Sequence, residues 1–349
     1  MKRLIVCCDG TWNRADQQSN GAPCPTNVVK LAYRIAKRDP TNSVPQIIFY
    51  DQGVGTGNAV DRFTGGAFGD GLVDNIFDAY RFLIANYEPG DDVFLFGFSR
   101  GAFCARSIAG LIRKCGILDR GHVQLYTEAL NIYHDDRIHP DDAEAAGFRA
   151  RHSCCGADPI PIKCIGVWDT VGSLGIPLRG LRGMTRRKYL FHDTELSGTV
   201  QFAFHALAID EQRAPFEPTL WVEKPKPGQL VSQTWFSGVH SDVGGGYAET
   251  DLSNITLQWM MDNAEVAGLA FDKQVTASKT LKGKPEGFIH NSKTGMYRVT
   301  KGIDRVIGVG PSQTVHPSAI TRWDTLPSYR PDNLRAYFKR IGDPRAIQR

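Results

Sequence analysis

The chain has no apolar run approaching the roughly 18 residues that a bilayer-spanning helix needs. It also has no cysteine pair at C-x-x-C spacing and no large excess of either charge. The first absence argues against a transmembrane segment. Only Leu4 to Cys8, behind Met1-Lys2-Arg3, imitates a signal peptide before Asp9-Gly10 ends it. That stretch reads as a first strand, which makes the cytoplasm the default location and leaves export by a signal-independent secretion system open. The second absence argues against zinc. Cys7, Cys8, Cys24, Cys104, Cys115, Cys154, Cys155 and Cys164 read as buried reduced thiols. The third argues against nucleic acid as the main partner, since 41 basic residues are dispersed among 37 acidic ones. Repeats and low-complexity tracts are missing too, and no stretch reads as a linker. The 349 residues, 42% hydrophobic and 22% charged, are therefore expected to form one elaborated globular domain.

What is present is an alternation. Candidate strands at Lys2–Cys8, Gln46–Tyr50, Val93–Gly97, Ile162–Trp168 and Thr234–Val239 are rich in Val, Ile and Phe and bounded by Gly, Asp or Pro, as buried parallel strands are. Between them Val73, Ile76, Phe77, Tyr80, Leu83, Ile84 and Tyr87 repeat at three and four residues, predicting a helix over about Leu72–Tyr87. A second helix should follow Ser99 and stop near Cys115-Gly116. This pattern predicts an α/β fold with a mostly parallel central sheet, helices on both faces, and inserted helical or loop segments. The core is expected over about 2–118 and 160–270. Residues 119–158 read as a helical insertion, and 271–349 as an extension with a short helix near Asn333–Lys339.

The strand at Val93–Gly97 runs into Gly97-Phe98-Ser99-Arg100-Gly101-Ala102, a Gly-x-Ser-x-Gly turn entering a helix of small residues. This is the sequence form of a nucleophile elbow, with Ser99 on a strained turn above the sheet. The alternative is a serine that merely caps the helix. A serine nucleophile needs a base, then an acid to hold that base. His240, in Gly238-Val239-His240-Ser241-Asp242, follows a strand and opens onto the glycines 244–246. His205 sits in an apolar segment and reads better as a buried structural histidine, and His316 is a more distant candidate. Asp169, at the end of Ile162–Trp168, fits the acid in the order Ser, acid, His. Asp210 and Asp242 compete with it. The oxyanion hole would take the N–H of Arg100 and an N–H from the Gly10-Thr11 loop. Gly53-Val54-Gly55-Thr56-Gly57 lacks the Lys-Ser/Thr ending of a phosphate-binding loop and reads as a loop over the crevice.

Several separated motifs together resemble one family. They are Cys8-Asp9-Gly10-Thr11-Trp12-Asn13, Gly53-Val54-Gly55-Thr56, the Ser99 elbow, Gly166-Val167-Trp168-Asp169-Thr170-Val171-Gly172, His205-Ala206-Leu207-Ala208-Ile209-Asp210-Glu211 and the His240 loop through Tyr247. The family is the DUF2235 α/β-hydrolase domain, which includes the type VI secretion phospholipase effectors of the Tle1 type. The resemblance, over about residues 2–250, implies an α/β-hydrolase fold and a triad of Ser99, Asp169 and His240. It implies cleavage of carboxylic esters, lipid or phospholipid esters among them; the acyl-transfer mechanism of such a triad needs no cofactor. A small-molecule esterase and a non-catalytic binding module are the competing readings. Residues 172–192 carry Arg179, Arg182, Arg186, Arg187 and Lys188 among leucines and no acid. They read either as a peripheral contact for anionic lipid or as a plain loop.

Overall fold

The computed structural model describes all residues except 11–12, 20, 54–66, 172–194, 223, 225, 279–280, 300–301 and 349. Seven strands build one sheet: β1 (Arg3–Cys8), β2 (Gln46–Asp51), β3 (Asp92–Phe98), β4 (Ile162–Trp168), β5 (Val200–Ala208), β6 (Leu230–Phe236) and β7 (Gln313–Val315). Their spatial order is β2-β1-β3-β4-β5-β6-β7, and every pairing in the sheet is parallel. The helices are α1 (Asn27–Ala32), α2 (Ala67–Asn86), α3 (Arg100–Cys115), α4 (Tyr126–His134), α5 (Ala143–His152), α6 (His240–Gly244), α7 (Asp251–Val266), α8 (Lys273–Ser278), α9 (Pro317–Thr325) and α10 (Asp332–Ile341).

Residues alternate across the sheet with period two. Leu4, Val6, Val93 and Leu95 point to the face covered by α2 and α3. Ile5, Cys7, Phe94 and Phe96 point to the face covered by α1 and α7. All six residues of β1 are buried, because a central parallel strand has a helix layer on each side. Each fully buried Leu, Ile, Val or Phe contributes roughly 1.5–3 kcal/mol. At the far edge, Leu207, Ile209 and Trp235 pack against Ile307, Val315, Trp323 and Phe338, so residues 271–349 close one end of the sheet. The fold is of the α/β-hydrolase-like class.

The first four expected strands appear within one residue of their predicted ends. The fifth differs: it begins at Leu230 rather than Thr234 and ends at Phe236 rather than Val239. Gly238 ends it, with φ of 116°, and the Val239 N–H turns to the Asp242 carboxylate, 3.0 Å away. His240 thus begins the short helix α6 instead of lying on an open loop. The alanines and histidine of β5 carry no strand signature, and β7 is too short to show one. Both strands lie outside the expected set.

From β1 the chain goes to β2 on one side and then passes back across β1 to β3 on the other. This leaves a crevice between the carboxyl ends of β1 and β3, where open α/β sheets bind ligands.

Candidate active site

Ser99 sits at that crevice, between β3 and α3. Its φ of 57° lies in the left-handed region that a residue with a side chain rarely enters. The turn is held by the Ser99 N–H, which donates to the Trp168 carbonyl at 3.0 Å. Its flanking glycines are required by contact. A Cβ on Gly97 would lie 2.3 Å from the Gly101 carbonyl oxygen, and one on Gly101 would lie 2.1 Å from that of Cys8. Ser99 occupies the N-cap of α3 yet its side chain makes no capping hydrogen bond, which sets the capping alternative aside. The Arg100 N–H is among the first amides of α3, which have no partner within a helix, and the helix dipole favours negative charge there.

Asp169, just past β4, also has a positive φ, 40°, in which aspartate is tolerated better than most residues. Its Oδ2 lies 2.6 Å from His240 Nδ1. Its Oδ1 accepts from the Ala208 N–H at 3.0 Å. Arg305 donates to both oxygens, at 2.6 Å to Oδ1 and 3.0 Å to Oδ2. Burial works to raise the Asp169 pKa. The Arg305 charge and the His240 and Arg305 hydrogen bonds outweigh it and hold the carboxyl below the ordinary range. For His240 burial wins: it lowers the imidazole pKa below 6.5 against the opposing pull of Asp169 and Glu211.

The His240 ring lies between Phe98, 4.6 Å away centre to centre, and Phe216, 4.9 Å away and edge-on. The Arg213 guanidinium stacks 3.5 Å from the Phe216 ring centre. Glu211 holds Arg213 through both carboxylate oxygens, at 2.9 and 2.8 Å. Glu211 also accepts from the His240 N–H at 3.3 Å and the Ser292 hydroxyl at 2.9 Å.

The competing candidates are engaged elsewhere. Asp242 faces His290, with Oδ1 2.6 Å from Nδ1. Asp210 accepts from the Gly238 N–H at 2.6 Å and the Tyr329 hydroxyl at 3.0 Å. Burial pushes its carboxyl up to about 6. His205 is fully buried in β5, where its Nε2 accepts from the Thr170 N–H at 3.1 Å; burial, aided by Arg106, pushes it down to about 3. His316 caps α9.

Gly10 borders Ser99, since a Cβ on it would lie 3.3 Å from that of Ser99. Its N–H, a candidate for the oxyanion hole, donates instead to the Oδ1 of the preceding residue, Asp9, at 2.7 Å. Asp9 Oδ2 is in turn held by the Thr26 hydroxyl at 2.7 Å and the Tyr50 hydroxyl at 2.8 Å. Burial raises Asp9 to about 6 against those bonds. Thr11 lies outside the described residues, as do residues 54–57 of the glycine loop. So do Arg179, Arg182, Arg186, Arg187 and Lys188. Among the described residues no three His, Cys, Asp or Glu side chains are grouped so as to hold a metal ion, and no helix is long and apolar enough to cross a membrane.

Arg305, Glu211, Arg213 and Phe216 escape sequence reasoning. Glu211 and Arg213 pair with each other, and Asp210 beside them takes no part in that ion pair.

The parallel sheet and the strand–serine–helix turn define an α/β-hydrolase-like protein. The chain belongs to the family described as "T6SS, Phospholipase effector Tle1-like, catalytic domain", whose model matches residues 2–263. A curated relative, the uncharacterized protein YEL023C of Saccharomyces cerevisiae, is 30% identical over 254 residues. The match takes in 67% of this chain and 35% of the relative, so the chain spans about a third of that protein's length. Among solved structures, the Tle1 effector bound to the VgrG spike from the type 6 secretion system is 16% identical, with a TM-score of 0.49 over 81% of this chain and 76% of that one. An uncharacterized protein from Pseudomonas aeruginosa is 18% identical, with a TM-score of 0.44 over 82% of this chain and 49% of its own.

Proposed function

We propose that the protein is a serine hydrolase of carboxylic esters carried by lipids, with Ser99 as nucleophile, His240 as base and Asp169 as acid. One observation carries this reading: the 2.6 Å contact of His240 Nδ1 with the buried Asp169 carboxylate beside a strained serine turn. In the first step Ser99 Oγ bonds to the acyl carbon while its proton passes to His240 Nε2. Asp169 holds the imidazole in the tautomer that leaves Nε2 free and stabilises the imidazolium. The oxyanion rests on the Arg100 N–H and on an N–H of the Gly10-Thr11 loop. His240 then gives its proton to the leaving alcohol. Water, deprotonated by the same histidine, releases the acid and restores Ser99.

Family membership supports a lipid ester as substrate. It also supports signal-independent export after synthesis in the cytoplasm. The basic, leucine-bearing segment 172–192 would add a peripheral contact with anionic lipid. The sheet-edge packing of residues 271–349 supports one elaborated domain.

The test is labelling by a fluorophosphonate, with the modified residue located by mass spectrometry, followed by turnover of phospholipids and of p-nitrophenyl esters. Labelling at Ser99 with phospholipid turnover, both lost in Ser99→Ala, is expected. An unlabelled Ser99 would mean a binding module. Turnover of short esters alone would mean a small-molecule esterase.

A further inference from the structure

Arg305 lies beyond the residues that the family model matches, 2–263, and its side chain is buried among the groups that flank the triad. Its guanidinium donates to both oxygens of Asp169, to the Ala208 carbonyl at 2.8 Å and to the Phe216 carbonyl. Two of those acceptors belong to the acid. A third belongs to the residue whose ring stands edge-on to His240. One planar cation thus fixes the carboxylate and one wall of the base together, a geometry that the two-pronged guanidinium fork suits and a lysine ammonium does not.

We propose that Arg305 is a positioning residue of the triad: it locks the Asp169 carboxylate in the orientation that His240 uses and offsets part of its charge, so that the imidazole stays a free base at lower pH. The proposal rests on reading Ser99, Asp169 and His240 as the triad. Stability alone does not call for this pair, since a buried ion pair loses much of its attraction to desolvation and an apolar residue often serves as well. The charges facing His240 are Asp169, Glu211 and Arg213. Those facing Asp169 are Arg305 and His240; His205 on β5 feels the charges of Asp169, Arg305 and, from α3, Arg106. Among the described residues, Arg305 is the arginine that touches the acid directly. Without it the full Asp169 charge acts on the imidazole and favours the imidazolium.

The test follows the rate constant for fluorophosphonate labelling of Ser99 against pH in the full chain. It compares the wild type, Arg305→Met and Arg305→Lys, each checked for folding by urea denaturation. In the wild type the rate rises with pH as His240 loses its proton. Arg305→Met is expected to move the midpoint up by about one pH unit. Arg305→Lys keeps the charge but loses the fork, so its midpoint should hold while its plateau falls ~10-fold. An unchanged midpoint in folded Arg305→Met overturns the proposal. If that variant does not fold, a wild-type plateau in Arg305→Lys overturns it. If neither folds, Arg305 serves the fold and the proposal also fails. An unlabelled wild-type Ser99 would instead overturn the triad reading.

Discussion

Gly101 and Cys8 approach so closely that a methyl group on the glycine would sit 2.1 Å from the Cys8 carbonyl oxygen. The obstacle is the backbone of a central strand, which cannot swing aside as a side chain does. Gly101→Ala should therefore destabilise the protein by about 3 kcal/mol or more, the upper end of overpacking costs. Gly268→Ala meets nothing within 4 Å and bears only the strain of its φ of 98°, costing about 1–2 kcal/mol. Urea midpoints of the two variants compare them directly. Equal losses would mean that α3 can move off β1.

Asp169→Asn should lower kcat about 10⁴-fold, as expected when an amide fixes the wrong imidazole tautomer. Asp242→Asn disturbs the Asp242 contact with His290 and leaves the His240–Asp169 contact in place, so its turnover should stay within about tenfold of wild type. Steady-state hydrolysis of one ester by both variants settles the assignment, and a reversed ranking would move the acid to Asp242.

The proposed mechanism requires neutral His240, whose pKa burial holds below the usual 6.5. The acid limb of kcat/KM should accordingly fall below that pH. Glu211 pulls the imidazole pKa upward while Arg213 pushes it down. Glu211→Gln removes the first and leaves the second uncompensated, so the limb should move to lower pH. A pH–rate series on the variant checks the sign; an upward move would show that Glu211 acts through structure alone.

His205 carries a stability prediction. Its folded pKa is about 3 against 6.5 as the ordinary value, so the unfolded chain takes up a proton that the folded one refuses. This contribution is complete above about pH 6.5 and is lost as pH falls toward about 3. Between about pH 7 and about pH 4 the wild type should lose up to about 3 kcal/mol more than His205→Gln. Urea titrations at the two pH values measure it, and equal losses would mean that His205 is charged when folded.

The elbow was legible because its constraint is steric and local: two glycines beside one serine are what a sharp strand-to-helix turn demands. Asp169 and His240 were legible because chain order and strand ends narrow the choice, and the structure puts them in contact. The end of β6 was misjudged because Gly238 and the Asp242 contact with the Val239 N–H terminate it within a run that still looks apolar. Arg305 was illegible for a different reason. Nothing in Asp304-Arg305-Val306 distinguishes it from a surface arginine, and its meaning arises only when the extension folds back on the sheet.

The two carboxylates flanking His240 are each matched by one guanidinium, Asp169 by Arg305 and Glu211 by Arg213. Around the resting imidazole those four charges cancel. On the proposed mechanism, the imidazolium and oxyanion of the first step are therefore the first charges to form there without a matched partner.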